Sequence, residues 1–177
     1  MRLALVLSAL VLTGCDGALI TFSTTIKGSA TIQGSPLGGL FNLFPQMNSF
    51  SNLNFDQNQD FKNNNAQKSH VKTAKVTSFT LKITDPNNQG YDFLDSVKFS
   101  VESQGNNTSE LAHKDGVAQL SGLQAPNPTL VLDVPGHDIA AHIRADEVTF
   151  ASSGSGRQPN QDVTVEAAVT LLIGAGL

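Results

Sequence analysis

The stretch "ALITFSTTIKGSATIQ" alternates from residue 18 onward. Its even positions are Ile20, Phe22, Thr24, Ile26, Gly28, Ala30 and Ile32, and its odd positions are mostly Thr, Ser, Lys and Gln. A period of two predicts a half-buried strand, or a hairpin pair with its bend near Lys27-Gly28. The same signal returns at Val71. "VKTAKVTSFTLKIT" reads as a long strand whose apolar phase shifts between Val76 and Phe79, which predicts a bulge or a crossing between sheets. "SVKFSVES" alternates through Val97, Phe99 and Val101, and "TLVLDV" aligns Leu130, Leu132 and Val134. "EVTFAS" and "DVTVEAAVTLLI" complete the set. Turn clusters separate these runs: "DPNNQG", "QGNNTS", a hairpin signal at Asp115-Gly116, and a loop "SGSGRQPN". "PGHDIAAHIRAD" reads as a short helical turn with Asp138 as a cap.

About seven or eight strands joined by turns predict an all-β protein. The expected form is an antiparallel β-sandwich of Ig-like or transthyretin-like class, in which the strand order is left open. A transmembrane barrel is disfavoured, because the chain has no Trp and one Tyr to build aromatic girdles.

Residues 35–70 break the pattern, with Gly, Pro and Asn beside Leu37, Leu40, Phe41, Phe44 and Met47. The apolar spacing suits a helical face, but Pro45 and the glycines oppose a regular helix. An irregular segment with a short surface helix in "DQNQDFKNNNAQKSH" is expected. Its apolar residues either pack across the sandwich or form an exposed patch for a membrane or a protein partner.

The formal charge is −4 over 177 residues, with no Lys/Arg cluster, so no nucleic-acid surface is expected. A single cysteine excludes an internal disulfide, a Cys-based zinc site and CxxC redox chemistry. Its position is informative. "MRLALVLSALVLTG" has one cation, Arg2, then an apolar run from Leu3 to Leu12 that is too short to span a bilayer, then small residues. The tetrad Leu12-Thr13-Gly14-Cys15 resembles the lipobox of bacterial lipoproteins. That resemblance covers the signal and the cleavage site alone. It implies removal of residues 1–14, a diacylglyceryl thioether and an N-acyl chain on Cys15, and one anchored domain over 15–177. Two or three acyl chains hold a protein to a membrane where one chain binds marginally. Asp16 resembles the inner-membrane retention signal of enteric bacteria, a rule other groups do not keep, and the outer membrane is the favoured address.

Candidate chemistry is sparse. Asp56, Asn58 and Asp60 resemble the first half of an EF-hand calcium loop, but Phe61 stands where that loop needs Gly and Gln67 where it needs Glu. His137 and His142 are five apart, which is not the helical zinc spacing. "SGSGR" is neither a nucleophile elbow nor a phosphate loop. Acids such as Asp85, Asp92, Asp133, Asp138, Asp146 and Asp162 sit at turns, where turn chemistry alone places them. The expectation is therefore a non-enzymatic envelope scaffold, assembly or adhesion component, with no cofactor and with a membrane and an envelope protein as partners. The alternative is an envelope binding module for calcium, glycan or lipid. A carboxylate-based hydrolase ranks third.

Overall fold

The computed structural model describes residues 19–41 and 44–176. Its strands are β1 (Leu19–Ile32), β2 (Leu40–Phe41), β3 (Val71–Asp85), β4 (Leu94–Ser103), β5 (Ser109–Asp115), β6 (Thr129–Val131), β7 (Val148–Arg157) and β8 (Val163–Gly176). Two short helices join them, α1 (Gln59–Asn63) and α2 (Ala140–Ile143). One sheet has the order β1-β8-β3-β6 and the other β2-β7-β4-β5. All resolved pairings are antiparallel.

The all-β sandwich is as expected. Its strand order was not readable. β1 pairs β8, β2 pairs β7, β3 pairs β6 and β4 pairs β5. This is one long antiparallel ribbon, with the β4–β5 turn at its tip, wrapped into two sheets. It is the order of a jelly roll, a double-sheet fold of two Greek keys, in place of the expected Ig-like or transthyretin-like order. Alternation along single strands is the same in all three.

β8 lies between β1 and β3 and is buried at every second residue from Val163 to Ala175. β1 follows it over fourteen residues without a register shift. β3 has three register shifts against β8, one of them between Val76 and Ser78, where the apolar phase changes. The phase shift is thus a bulge, and β3 stays in one sheet.

The irregular segment divides. Leu37 is 98% exposed and Leu40 79%, whereas Phe44 and Met47 are buried with Phe50, Phe55 and Phe61. Phe50 meets Phe79, Phe99 and Phe150 edge-on, at centroid distances of 6.3, 6.2 and 5.6 Å. The segment therefore supplies core from outside the regular strands, because a sandwich open along one side leaves apolar area that only another part of the chain can cover. Gly28 makes room for it: a Cβ there would lie 3.0 Å from Met47 and from the Phe50 ring. Gly28 is thus a close-packing residue inside a continuous β1, not the bend of a hairpin.

Two turn expectations are also corrected. Gly116 does adopt positive φ, +63°, but a 3-10 turn over Val117–Gln119 follows it and no return strand pairs there. The β4–β5 hairpin closes through "QGNNTS" instead, with Gly105 at φ +79°. Ser153–Arg157 is not a loop but the second half of β7. Its glycines are needed in the strand, since a Cβ on Gly156 would run into the Phe93 carbonyl and one on Gly154 would lie 2.7 Å from Ser96 O.

Candidate functional site

Cys15 and Asp16 lie outside the described residues. What is described starts four residues after Cys15: Leu19, 66% exposed, opens β1. Leu37 and Leu40 sit past the other end of that strand, roughly 43 Å away at the usual strand rise. Leu37 lies at the tip of a turn closed by Gly38 N–H donating to Ser35 O at 3.0 Å, with Pro36 before it. Leu40 belongs to the two-residue edge strand β2, which pairs with Arg157 and Gly156. Of the five candidate partner-binding residues, Leu37 and Leu40 are thus exposed, Phe41 is half-buried, and Phe44 and Met47 are core.

A polar cleft of about 470 Å³ opens at the same end as Leu40. Asn88, Gln89, Asp92, Gln124, Arg157 and Asn160 line it. Gln89 Nε2 donates to Asp92 Oδ1 at 3.1 Å and holds that carboxylate at the rim. Amides, one carboxylate and one guanidinium form a mixed set of donors and acceptors suited to a neutral, hydroxyl-rich ligand. Phe93 is buried and offers no exposed stacking face.

A second groove, about 450 Å³, runs over the outer face of β4, β5 and β7. Lys98 Nζ lies 2.9 Å from Glu110 Oε2, and His113 Nδ1 lies 2.8 Å from Glu110 Oε1. The Lys98 hydrogen bond holds the Glu110 carboxyl below its ordinary range; partial burial opposes this, and the Lys98 charge and His113 add to the lowering. Asp115 lines the same groove. A hydrolase needs one carboxyl raised to act as an acid, and Glu110 moves the other way. Among the acids at turns, Asp133 pairs with Lys114 at 3.1 Å and Asp146 with Lys68 at 2.9 Å. Asp162 accepts from Gly34 N–H at 2.9 Å. Asp138 Oδ1 accepts from Ala74 and Ala140 N–H, at 3.2 and 2.8 Å, which ties the start of α2 to β3.

His142, on α2, is buried between two serines. Its Nδ1 is 2.9 Å from Ser103 Oγ and its Nε2 3.1 Å from Ser109 Oγ. Both ring nitrogens are thus engaged by hydroxyls, and neither contacts a carboxylate of the kind that orients a catalytic histidine. The ring bridges the end of β4 and the start of β5. Burial lowers its pKa, with a backbone hydrogen bond at Asn107 opposing. Alternating hydropathy could not have found this residue, because its partners lie 39 and 33 positions away.

Two of the three calcium candidates, Asp56 and Asn58, accept hydrogen bonds from the backbone. Asn58 Oδ1 accepts from Asp60 and Phe61 N–H and from the buried Thr24 hydroxyl, capping α1 and tying it to β1. Asp56 Oδ1 accepts from Lys68 N–H at 2.9 Å. No group of three His, Cys, Asp or Glu among the described residues could hold a metal ion, and no described helix is long and apolar enough to cross a membrane.

No family model matches the chain, and no curated protein matches it. Among solved structures it is similar to the BFDV capsid protein. The decameric form gives a TM-score of 0.39 at 9% identity, over 89% of this chain and 99% of that one. The 60-mer form gives 0.41 at 9% identity, over 90% and 94%.

Proposed function

We propose that the protein is a lipid-anchored, non-enzymatic component of the bacterial cell envelope that acts by docking to other proteins. The observation that carries this is the short connection from Cys15, the lipobox cysteine, to Leu19, the first residue of β1. A tether of about four residues, at most roughly 14 Å, keeps the sandwich beside the bilayer. Support for docking over catalysis comes from Leu37 and Leu40, large apolar side chains exposed at the end of the sandwich away from Leu19. Glu110, Asp133, Asp138, Asp146, Asp162 and His142 are engaged in ion pairs and structural hydrogen bonds. Fractionation of producing cells tests the reading: the wild-type protein sediments with membranes, and Cys15→Ser moves it to the soluble fraction. Soluble wild-type protein overturns it.

The amide-rich cleft favours a second reading, an envelope module that binds a hydroxyl-rich ligand such as a glycan. Calorimetric titration with soluble cell-wall glycan fragments tests it. Saturable binding that Arg157→Ala abolishes supports it, and no heat at millimolar ligand removes it.

A further inference from the structure

Three of the four sheet edges end on strands of seven residues or fewer, β2, β5 and β6. The fourth, β1, is fourteen residues long and has a neighbour, β8, on one side only. Ser29 shows which backbone groups face the other side. Its N–H donates to Asn48 Oδ1 and its C=O accepts from Asn48 N–H, both at 3.0 Å. The β1–β8 register is unbroken, so residues of the same parity present their N–H and C=O to the same side. These are Leu19, Thr21, Ser23, Thr25 and Lys27. Among the described residues, none of their backbone groups has a partner on that side. Proteins usually blunt such an edge with charge, proline or a bulge. Here "LITFSTTI" carries no charge and no proline before Lys27.

We infer that this edge pairs with the same edge of a second copy, antiparallel, with the two-fold axis at Ser23. This register pairs all five open positions: Leu19 with Lys27, Thr21 with Thr25, and Ser23 with itself. It leaves no like charges opposed, because each Lys27 meets a leucine. On the inner face it sets Ile20 of one copy opposite Ile26 of the other. A groove of about 330 Å³ already lies there, bounded by Thr25, Ile26 and Lys27 on one wall and by Leu53 and Phe55 on the other. Ile20 is only partly buried in the single chain, and the groove offers it apolar contact with Ile26, Leu53 and Phe55 beside the polar Asn54, Gln57 and Asn58. The two sheets join into one of eight strands. The two Leu19 residues then lie roughly 27 Å apart at the ends of the shared ladder, so two lipids in one membrane leave the paired strands running along its surface. The inference needs the edge of β1 and not the lipid, so it stands or falls apart from the anchor.

Disulfide trapping tests it on the chain from residue 15 carrying Cys15→Ser, which retains all eight strands. Paired Cα atoms across such a ladder are about 5.5 Å apart, inside the range a disulfide bridges. Under mild oxidation, Ser23→Cys gives a covalent dimer, and Leu19→Cys mixed with Lys27→Cys gives one that neither gives alone. Thr31→Cys, beyond the Asn48 clasp, stays monomeric. By sedimentation, the Cys15→Ser parent runs at twice the monomer mass, and adding Ser23→Lys returns it to monomer with its melting temperature unchanged. A parent that sediments as monomer at about 100 µM, a concentration that detects even weak pairing, or equal cross-linking at residues 23 and 31, overturns the inference.

Discussion

Phe150 N–H donates to the Phe50 carbonyl at 2.8 Å, and the two rings meet edge-on with centroids 5.6 Å apart. One residue of the irregular segment is thereby joined to β7 through both backbone and side chain. Phe50→Ala should cost about 3–5 kcal/mol, as removal of a buried ring usually does. Leu37→Ala, at a solvated tip, should cost less than about 0.5 kcal/mol. Urea unfolding of both variants checks the contrast, and equal losses would show that the segment is not part of the core.

Tyr91 is buried and stacks on Phe93, with centroids 6.2 Å apart. Its hydroxyl finds no hydrogen-bond partner among the described residues, and burial drives its pKa upward. An unpaired buried hydroxyl costs about 1–3 kcal/mol. Tyr91→Phe should therefore raise stability by about 1 kcal/mol, seen as a higher melting temperature. A lower one would mean that the hydroxyl contributes a bond.

His142 predicts a pH effect. Its folded pKa lies below the ordinary value of 6.5, so the unfolded chain binds the proton more readily. Its contribution is fully present above pH 6.5 and is lost as pH falls through the folded value. Glu110 is shifted down from 4.5, so its contribution is present above that value and fades only in more acid solution. Between pH 7 and 5, the melting temperature of the wild-type protein should fall further than that of His142→Gln. Parallel curves would assign the slope to other groups.

Alternating hydropathy carried the strands, since each buries one face: β1, β4 and β8 follow their patterns residue by residue. The bulge at Val76 was readable for the same reason, because an extra residue flips the buried phase. Strand order was not, since β1 meets β8 across nearly the whole chain and nothing local records that pairing. Ser153–Arg157 misled because Gly and Ser usually mark loops, whereas here they let β7 approach Phe93 and Ser96. Leu37 and Phe44 carry equal apolar signals, and only the fold separates the exposed one from the buried one. Asp56 and Asn58 share a spacing with calcium ligands because helix caps, backbone-binding carboxylates and metal loops recruit the same oxygens.

Mass spectrometry of the amino-terminal peptide, taken from protein purified out of membranes, tests the anchor most directly. Lipid anchoring predicts a mature chain that begins at Cys15 and carries a thioether-linked diacylglyceryl group and an N-acyl chain. A chain that keeps residues 1–14, or one with an unmodified Cys15, contradicts it.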